Sequence, residues 1–287
     1  MGISFKEVTH NYPGLKKHDT TVAINNINLD INSKNEFVAI VGKTGSGKST
    51  LIQHMNALIL PTKGNVCIFD SIITPKKNKN PKLKNVRKRV GFVFQFPEYQ
   101  LFEETVLKDI MFAPLNFGLS KEEAKKKAIS IAKLLKIEDL LDKSPFNLSG
   151  GQMRKVAIAG ILAYEPDILL LDEPTRGLDP LAAVEIMDLF YQIHKETHKT
   201  MIIITHDMNI VYEYATRVVV MNNSSITYDG DKVKLFKEDI YKDNHLSKPE
   251  VLKLIDYLNE KLNLNLDYNT YTLNDLLNKL KAGDIRG

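Results

Sequence analysis

Phe37-Val38-Ala39-Ile40-Val41-Gly42-Lys43-Thr44-Gly45-Ser46-Gly47-Lys48-Ser49 is the stretch whose reading decides the fold. Five apolar residues in succession suit a strand buried on both faces, and such strands belong to parallel sheets covered by helices on either side. Gly42 to Ser49 matches G-x-x-x-x-G-K-[ST]. It leaves a strand and opens a helix, expected over about Lys48 to Leu58 and stopped by Pro61. Glycines let the backbone wrap phosphates closely, while successive N–H groups and the helix N-terminus face the negative charge. Gly42, Lys43, Thr44, Gly45, Ser46, Gly47, Lys48, Ser49 and Thr50 are therefore the candidate nucleotide-binding residues. Lys48 would reach the terminal phosphates, and the Ser49 hydroxyl would be a ligand for Mg2+, a cation that prefers oxygen.

Outward from this loop, Ile3 to Val8 and Ala23 to Ile31 read as strands, and Val90 to Phe94 as a buried strand ending at Gln95. From Phe96 to Asn147 the pattern turns helical. Ser120 and Glu123 form a capping box, followed by Ala124, Ala128, Ile131, Leu134 and Leu135 at helical spacing. Beyond Ser149, helices at about Gly151 to Ala163, Leu181 to Lys195 and Met208 to Ala215 alternate with strands Ile168 to Leu171, Met201 to Ile204 and Val218 to Met221. Alternation of this kind predicts an α/β core with a largely parallel sheet. The tail from about Asp231 carries a second capping-box pattern at Ser247 and Glu250, then an apolar stripe at Val251, Leu254, Ile255, Leu258 and Leu262. Thr272 is placed to cap a last helix through Leu280. The stripe suits packing on the core and a partner surface equally.

Two further elements carry chemistry. Ile168-Leu169-Leu170-Leu171-Asp172-Glu173 sets two carboxylates at the C-terminal end of an apolar strand, where ligands bind in open α/β sheets. Asp172 would hold Mg2+, and Glu173 would act as general base or orient the attacking water. Alone, such a pair is more often a turn, and Pro174 supports a break. Leu148-Ser149-Gly150-Gly151-Gln152 heads another helix and offers a second anion site. One nucleotide rarely needs two phosphate cradles, so the simplest reading gives the second cradle to a nucleotide on another subunit.

Taken in order, the glycine loop, Gln95, Leu148 to Gln152, Asp172-Glu173, Leu178-Asp179 and His206 resemble the ATP-binding cassette ATPases over about the first 230 residues. The resemblance implies a P-loop NTPase core with a mixed, largely parallel sheet and an antiparallel β subdomain. It also implies a helical subdomain at about 96–149 and a cassette spanning 1–230, with a small C-terminal helical domain at 231–287. It implies ATP and Mg2+ as ligands and a hydrolase acting as half of an ATP-sandwich dimer. Tyr12 would stack on adenine. Gln95 would contact Mg2+ and the attacking water. Ser149, Gly150 and Gly151 would bind the γ-phosphate held by the opposite subunit, Asp179 would communicate across the dimer, and His206 would touch the γ-phosphate. Arg176 departs from the small residues usual before the Gly177-Leu178-Asp179 turn.

Gln95 to Val106 is most similar to the second ATPase subunit type of energy-coupling factor transporters. That resemblance implies a heterodimer with a second ATPase, a transmembrane coupling subunit, a substrate-binding membrane subunit, and a place at the cytoplasmic face of the cell membrane. Phe96, Tyr99, Leu101 and Phe102 would then form an apolar docking groove for the coupling subunit, unless they are core of the helical subdomain. Another importer of the cassette class, for metal ions or amino acids, would share every catalytic residue.

Composition narrows the alternatives. No apolar run approaches the roughly 20 residues of a membrane span, so membrane contact is expected only through partners. A single cysteine, Cys67, excludes an internal disulfide and reads as a small buried hydrophobe in a reducing compartment. Residues 75–89 hold eight Lys/Arg and no acid, yet lack aromatics for base stacking, which favours a solvated loop over a nucleic-acid patch. Leu148 lies 99 positions after Ser49, too close for an inserted coiled coil of the chromosome-maintenance type.

Overall fold

The computed structural model describes residues 2–14, 19–269 and 272–282. Ten strands form two sheets. β1 (Ile3–Pro13), β2 (Thr20–Ile31), β4 (Lys63–Ile68) and β5 (Ser71–Ile73) make an antiparallel sheet of order β2-β1-β4-β5. The larger sheet has the order β10-β9-β3-β8-β7-β6, built from β3 (Phe37–Gly42), β6 (Val90–Val93), β7 (Ile168–Asp172), β8 (Thr200–Ile204), β9 (Arg217–Asn222) and β10 (Ser225–Asp231). All its neighbours run parallel except β10, which returns antiparallel along β9.

The continuous apolar runs follow from burial on both faces of this sheet. Phe37, Ala39, Val41, Leu169, Leu171, Met201 and Ile203 point into a core shared with the helices, while Val38, Ile40, Ile168, Leu170, Ile202 and Ile204 point into a second core shared with the antiparallel sheet. Burying each such side chain contributes about 1.5–3 kcal/mol, so both faces demand apolar residues.

Eleven α-helices lie among the described residues. α1 (Lys48–Met55) runs from the glycine loop, and α2 (Leu83–Arg89) precedes β6. α3 (Val106–Asn116), α4 (Lys121–Leu134) and α5 (Gly150–Leu162) pack together in the segment expected to be helical. The Ser120–Glu123 capping box is present. α6 (Pro180–Thr197) and α7 (Met208–Tyr214) lie between the later strands. α8 (Lys232–Lys237), α9 (Ile240–Asp243), α10 (Glu250–Leu262) and α11 (Leu273–Ala282) form the tail.

Several local expectations need correction. The Ser247–Glu250 capping box does not form: α10 begins at Glu250 with Pro249 in the capping position, which contributes no side-chain acceptor. The Thr272 cap does form, its Oγ1 accepting from the Asp275 N–H at 3.0 Å. The tail stripe packs on the main core through Val251 and Ile255, with Leu254 and Leu258 partly buried against it, whereas Leu262 is left exposed; Leu252, outside the stripe, is buried in the same core. The basic segment is not all loop, because Val86 is buried and anchors α2. Cys67, on β4, is half-buried rather than buried. Among the described residues no helix is long and apolar enough to cross a membrane.

Candidate active site

β3 delivers the chain to the glycine loop at the C-terminal edge of the parallel sheet. Gly42 and Gly47 have φ of 140° and 102°, in the region that favours glycine. A Cβ at Gly42 would sit 2.1 Å from the Met221 carbonyl oxygen, and one at Gly47 2.2 Å from that of Ala23. Both positions therefore require glycine for shape as well as for backbone freedom. Lys48 Nζ folds back to donate to the carbonyls of Gly42 and Lys43, each at 2.8 Å. Burial pushes its ammonium pKa down, opposed by the negative charges of Glu173 and Asp172. Ser46 Oγ is buried without a hydrogen-bond partner. Ser49 is exposed, and Thr50 is buried with its Oγ1 3.4 Å from Tyr12 Oη.

The cleft in front of this loop has a volume of about 400 Å³ and is lined by Thr44, Gly45, Gly47, Lys48, Ser49 and Thr50, by Gln95, Asp172, Glu173, Arg176 and His206, and by Thr21, Val22 and Ala23 of β2. Topology accounts for the gathering: β3, β6, β7 and β8 are parallel neighbours, so residues just past their C-terminal ends meet at one edge. Glu173 is the centre of the polar contacts. Its φ of 47° is unusual for a residue with a side chain, and its N–H donates to the Ile204 carbonyl at 3.0 Å. Its Oε2 accepts from Gln95 Nε2 at 3.2 Å and from Arg176 Nη1 at 2.9 Å, and His206 Nε2 lies 3.1 Å from Oε1. The turn expected of an Asp-Glu-Pro run is present, closed by the Glu173 carbonyl accepting from the Arg176 N–H, and the Glu173 side chain lines the cleft. Burial, reinforced by Glu173 and opposed by Lys48, lifts the Asp172 carboxyl to about 6.

Leu148 to Gln152 do not line this cleft. Ser149 caps α5: its Oγ accepts from the Gln152 N–H at 3.4 Å, and Gln152 Oε1 accepts from the Ser149 N–H at 3.0 Å. Gly150 and Gly151 are exposed with open space where a Cβ would stand. They open a 13-residue helix, at the end where backbone N–H groups lack partners within the helix. Asp179 is the N-cap of α6, its Oδ1 accepting from the Ala182 N–H at 3.0 Å.

The four residues expected to form one docking groove separate into two pairs. Leu101 and Phe102 line a hollow of about 310 Å³ together with Phe94, Phe112, Phe117 and Tyr164. Phe96 and Tyr99 do not line it; their rings lie 5.8 Å apart, beside Gln95 in sequence. Leu101 is also buried in the main core, the role its sequence allowed besides docking.

Sequence reasoning missed two contributions. Thr21, Val22 and Ala23 carry no motif and reach the cleft only because β2 pairs with β1. Arg154 was also missed. It joins Glu98 through two bonds of 3.2 and 3.1 Å and donates to the carbonyl of Arg176 at 2.9 Å, tying α5 to the segments after Gln95 and after Glu173.

A glycine cradle, a buried lysine facing two carboxylates, and a glutamine and a histidine on the second carboxylate define a nucleotide triphosphatase of the P-loop class. The ABC transporter family model matches residues 24–176. The energy-coupling factor transporter ATP-binding protein EcfA2 of Bacillus licheniformis is 46% identical over 285 residues, covering 98% of this chain and 97% of its own. That of Bacillus subtilis is 47% identical, covering 91% and 95%. Among solved structures, cbiO1 from Clostridium perfringens, described as part of the ABC transporter complex cbiONQ, superposes with a TM-score of 0.73 at 35% identity, covering 91% of this chain and 95% of its own. The dimeric post-hydrolysis state of the ATP-binding cassette MJ0796 with ADP and Pi has a TM-score of 0.69 at 32% identity, covering 80% and 98%. The chain belongs to the ABC transporter ATPases, within the family of energy-coupling factor transporter ATP-binding proteins.

Proposed function

We propose that this chain is the ATP-hydrolysing partner in a two-subunit motor that powers an energy-coupling factor importer, with Glu173 as the base of its own site. The observation that carries this reading is the separation of the two phosphate cradles. The glycine loop, Asp172, Glu173 and His206 share one cleft, while the Ser149-Gly150-Gly151 turn lies outside it, with Gly150 and Gly151 exposed at the head of α5. A site with cradle and base on one side and free N–H donors elsewhere is completed by a second copy of the same architecture in opposed orientation.

Phosphoryl transfer depends mostly on positioning and on neutralising charge. The loop N–H groups and Lys48 hold the β- and γ-phosphates, and Tyr12 beside Thr50 packs against the base. Ser49, Asp172 and Gln95 offer hard oxygen donors suited to Mg2+, which typically takes one or two carboxylates plus phosphate oxygens and water. When bound, Mg2+ supplies charge neutralisation at the phosphates. Glu173 accepts the proton of the attacking water, with Gln95 and His206 orienting it. Asp179 stands at the head of α6 where a partner surface would meet it. The cassette of residues 1–230 closes around ATP, and the tail from 231 adds a helical unit, of which 270–271 and 283–287 lie outside the described residues. The hollow lined by Phe94, Phe102 and Phe112 receives a helix of the transmembrane coupling subunit, which places the motor at the membrane through its partners.

Glu173→Gln in the purified transporter complex is the test. ATP stays bound and turnover at this site stops, read as retained nucleotide per complex with the partner ATPase's own site inactivated. Unchanged hydrolysis would reject the assigned base.

A further inference from the structure

The residue that departs from the family pattern sits on the catalytic carboxylate. Arg176 Nη1 is 2.9 Å from Glu173 Oε2, the one hydrogen bond of its side chain among the described residues, so most of its N–H donors remain available. Its side chain is 58% exposed and lines the nucleotide cleft together with Lys48 and Ser49. It also lines an adjoining hollow with Thr44, Thr205 and His206. Its backbone is fixed independently, because its N–H donates to the Glu173 carbonyl at 3.0 Å and its own carbonyl accepts from Arg154. The guanidinium thus hangs from a rigid turn into the cleft and is aimed by Glu173.

From this geometry we infer that Arg176 reads the terminal phosphate of the bound nucleotide and makes this subunit discriminate ATP from ADP. The inference rests on the nucleotide reading of the cleft. A triphosphate entering here places dense negative charge in front of Asp172 and Glu173, which repel it. Lys48 offsets that repulsion from beneath the loop. Arg176 is a second cation at the lip, on the side where Glu173 stands. A guanidinium presents its donors as a planar fork, so one edge can stay on Glu173 Oε2 while the other meets a phosphate oxygen. A residue so placed screens the base from the γ-phosphate without displacing it. ADP lacks that phosphate and gains little. Lysine in the same position would keep the charge but not the two-edged bridge.

The experiment measures the affinity of the full-length chain for the Mg2+ complexes of ADP and of the β,γ-imido analogue of ATP, by titration calorimetry, in the native protein, R176A and R176K. Loss of one charge-assisted hydrogen bond should weaken the imido analogue on the order of tenfold in R176A, with R176K between the two. ADP affinity should change less than about twofold. Equal losses for both nucleotides, or none for the imido analogue, would overturn the inference, as would full recovery in R176K. A rise in turnover of R176A without change in analogue affinity would also overturn it, by making Arg176 a restraint on Glu173 instead. Failure of the native chain to bind either nucleotide would instead remove the reading of the cleft itself. Because the side chain is exposed, all three proteins should unfold at the same temperature, which separates recognition from damage to the fold.

Discussion

Replacing Glu98 by alanine should destabilise the protein by about 3 kcal/mol, although Glu98 touches no nucleotide-binding residue. The Arg154 side chain is only 4% exposed and that of Glu98 15%, and the guanidinium donates two hydrogen bonds to the carboxylate, one to each oxygen. Removing one partner of such a pair costs about 3–5 kcal/mol, because the other charge is left buried and uncompensated. The lower end applies here, since Arg154 Nη1 keeps the carbonyls of Arg176 at 2.9 Å and Pro174 at 3.4 Å. With an m-value of about 3 kcal/mol/M, the urea midpoint should fall by about 1 M at unchanged slope. Adding Arg154→Met to Glu98→Ala removes the stranded charge and should recover about 1 kcal/mol or more, but not the whole loss, as the two carbonyls then lack their donor. ATPase activity should fall in step, because Arg154 anchors the turn that carries Glu173 and Arg176. A midpoint shift below about 0.3 M, or a double variant weaker than the single one, would refute the assignment of Arg154 as the brace between these segments.

Two pH effects follow from burial. Asp172 has a pKa of about 6 in the folded chain against 3.8 ordinarily, so the folded state binds its proton more tightly than the unfolded state does. Its ionisation therefore costs stability above about pH 6, and the cost disappears as pH falls below its ordinary value; Asp172→Asn should stabilise the nucleotide-free chain at pH 8 by on the order of 1–3 kcal/mol and have little effect at pH 4. An equal effect at both pH values in urea titrations would exclude this. His54 is the opposite case: burial, against the pull of the Thr50 carbonyl, holds it down at about 4 from 6.5. The unfolded chain takes up this proton first, so stability should decline as pH drops from 6.5 towards 4, by up to about 3 kcal/mol. His54→Gln should flatten that part of the urea-midpoint curve, and parallel curves for the two proteins would count against the buried neutral imidazole.

The core strands were readable because burial on two faces leaves a one-dimensional trace: Phe37 to Val41, Ile168 to Leu171 and Met201 to Ile204 are apolar without interruption. The glycine loop and the carboxylate pair were readable because their chemistry tolerates few residue types, and the two glycine clashes at Gly42 and Gly47 show why. What the chain order hid were contacts between distant segments. Arg154 and Glu98 are 56 positions apart, and neither residue alone signals a buried pair. Arg176 was visible as a departure, but its bond to Glu173 depends on the left-handed backbone of that residue. The short strands β4 and β5 carry weak patterns because they are brief and half-exposed, and the helix α2 because four of its seven residues are Lys or Arg. The false cap at Ser247 failed for a local reason: Pro249 already fixes the backbone at the entrance to α10, so the helix starts without a serine.

The distance between cleft and Ser149 turn also governs how genetic lesions are inherited by the motor. In the proposed sandwich, damage at Lys48 would strike the pocket this polypeptide builds for itself, whereas damage at Ser149 would strike the pocket of its neighbour. Either lesion alone spares one of the pair. Both on the same polypeptide silence the two pockets together, even beside a wild-type neighbour, whereas one lesion on each polypeptide can fall on a single pocket and leave the other running.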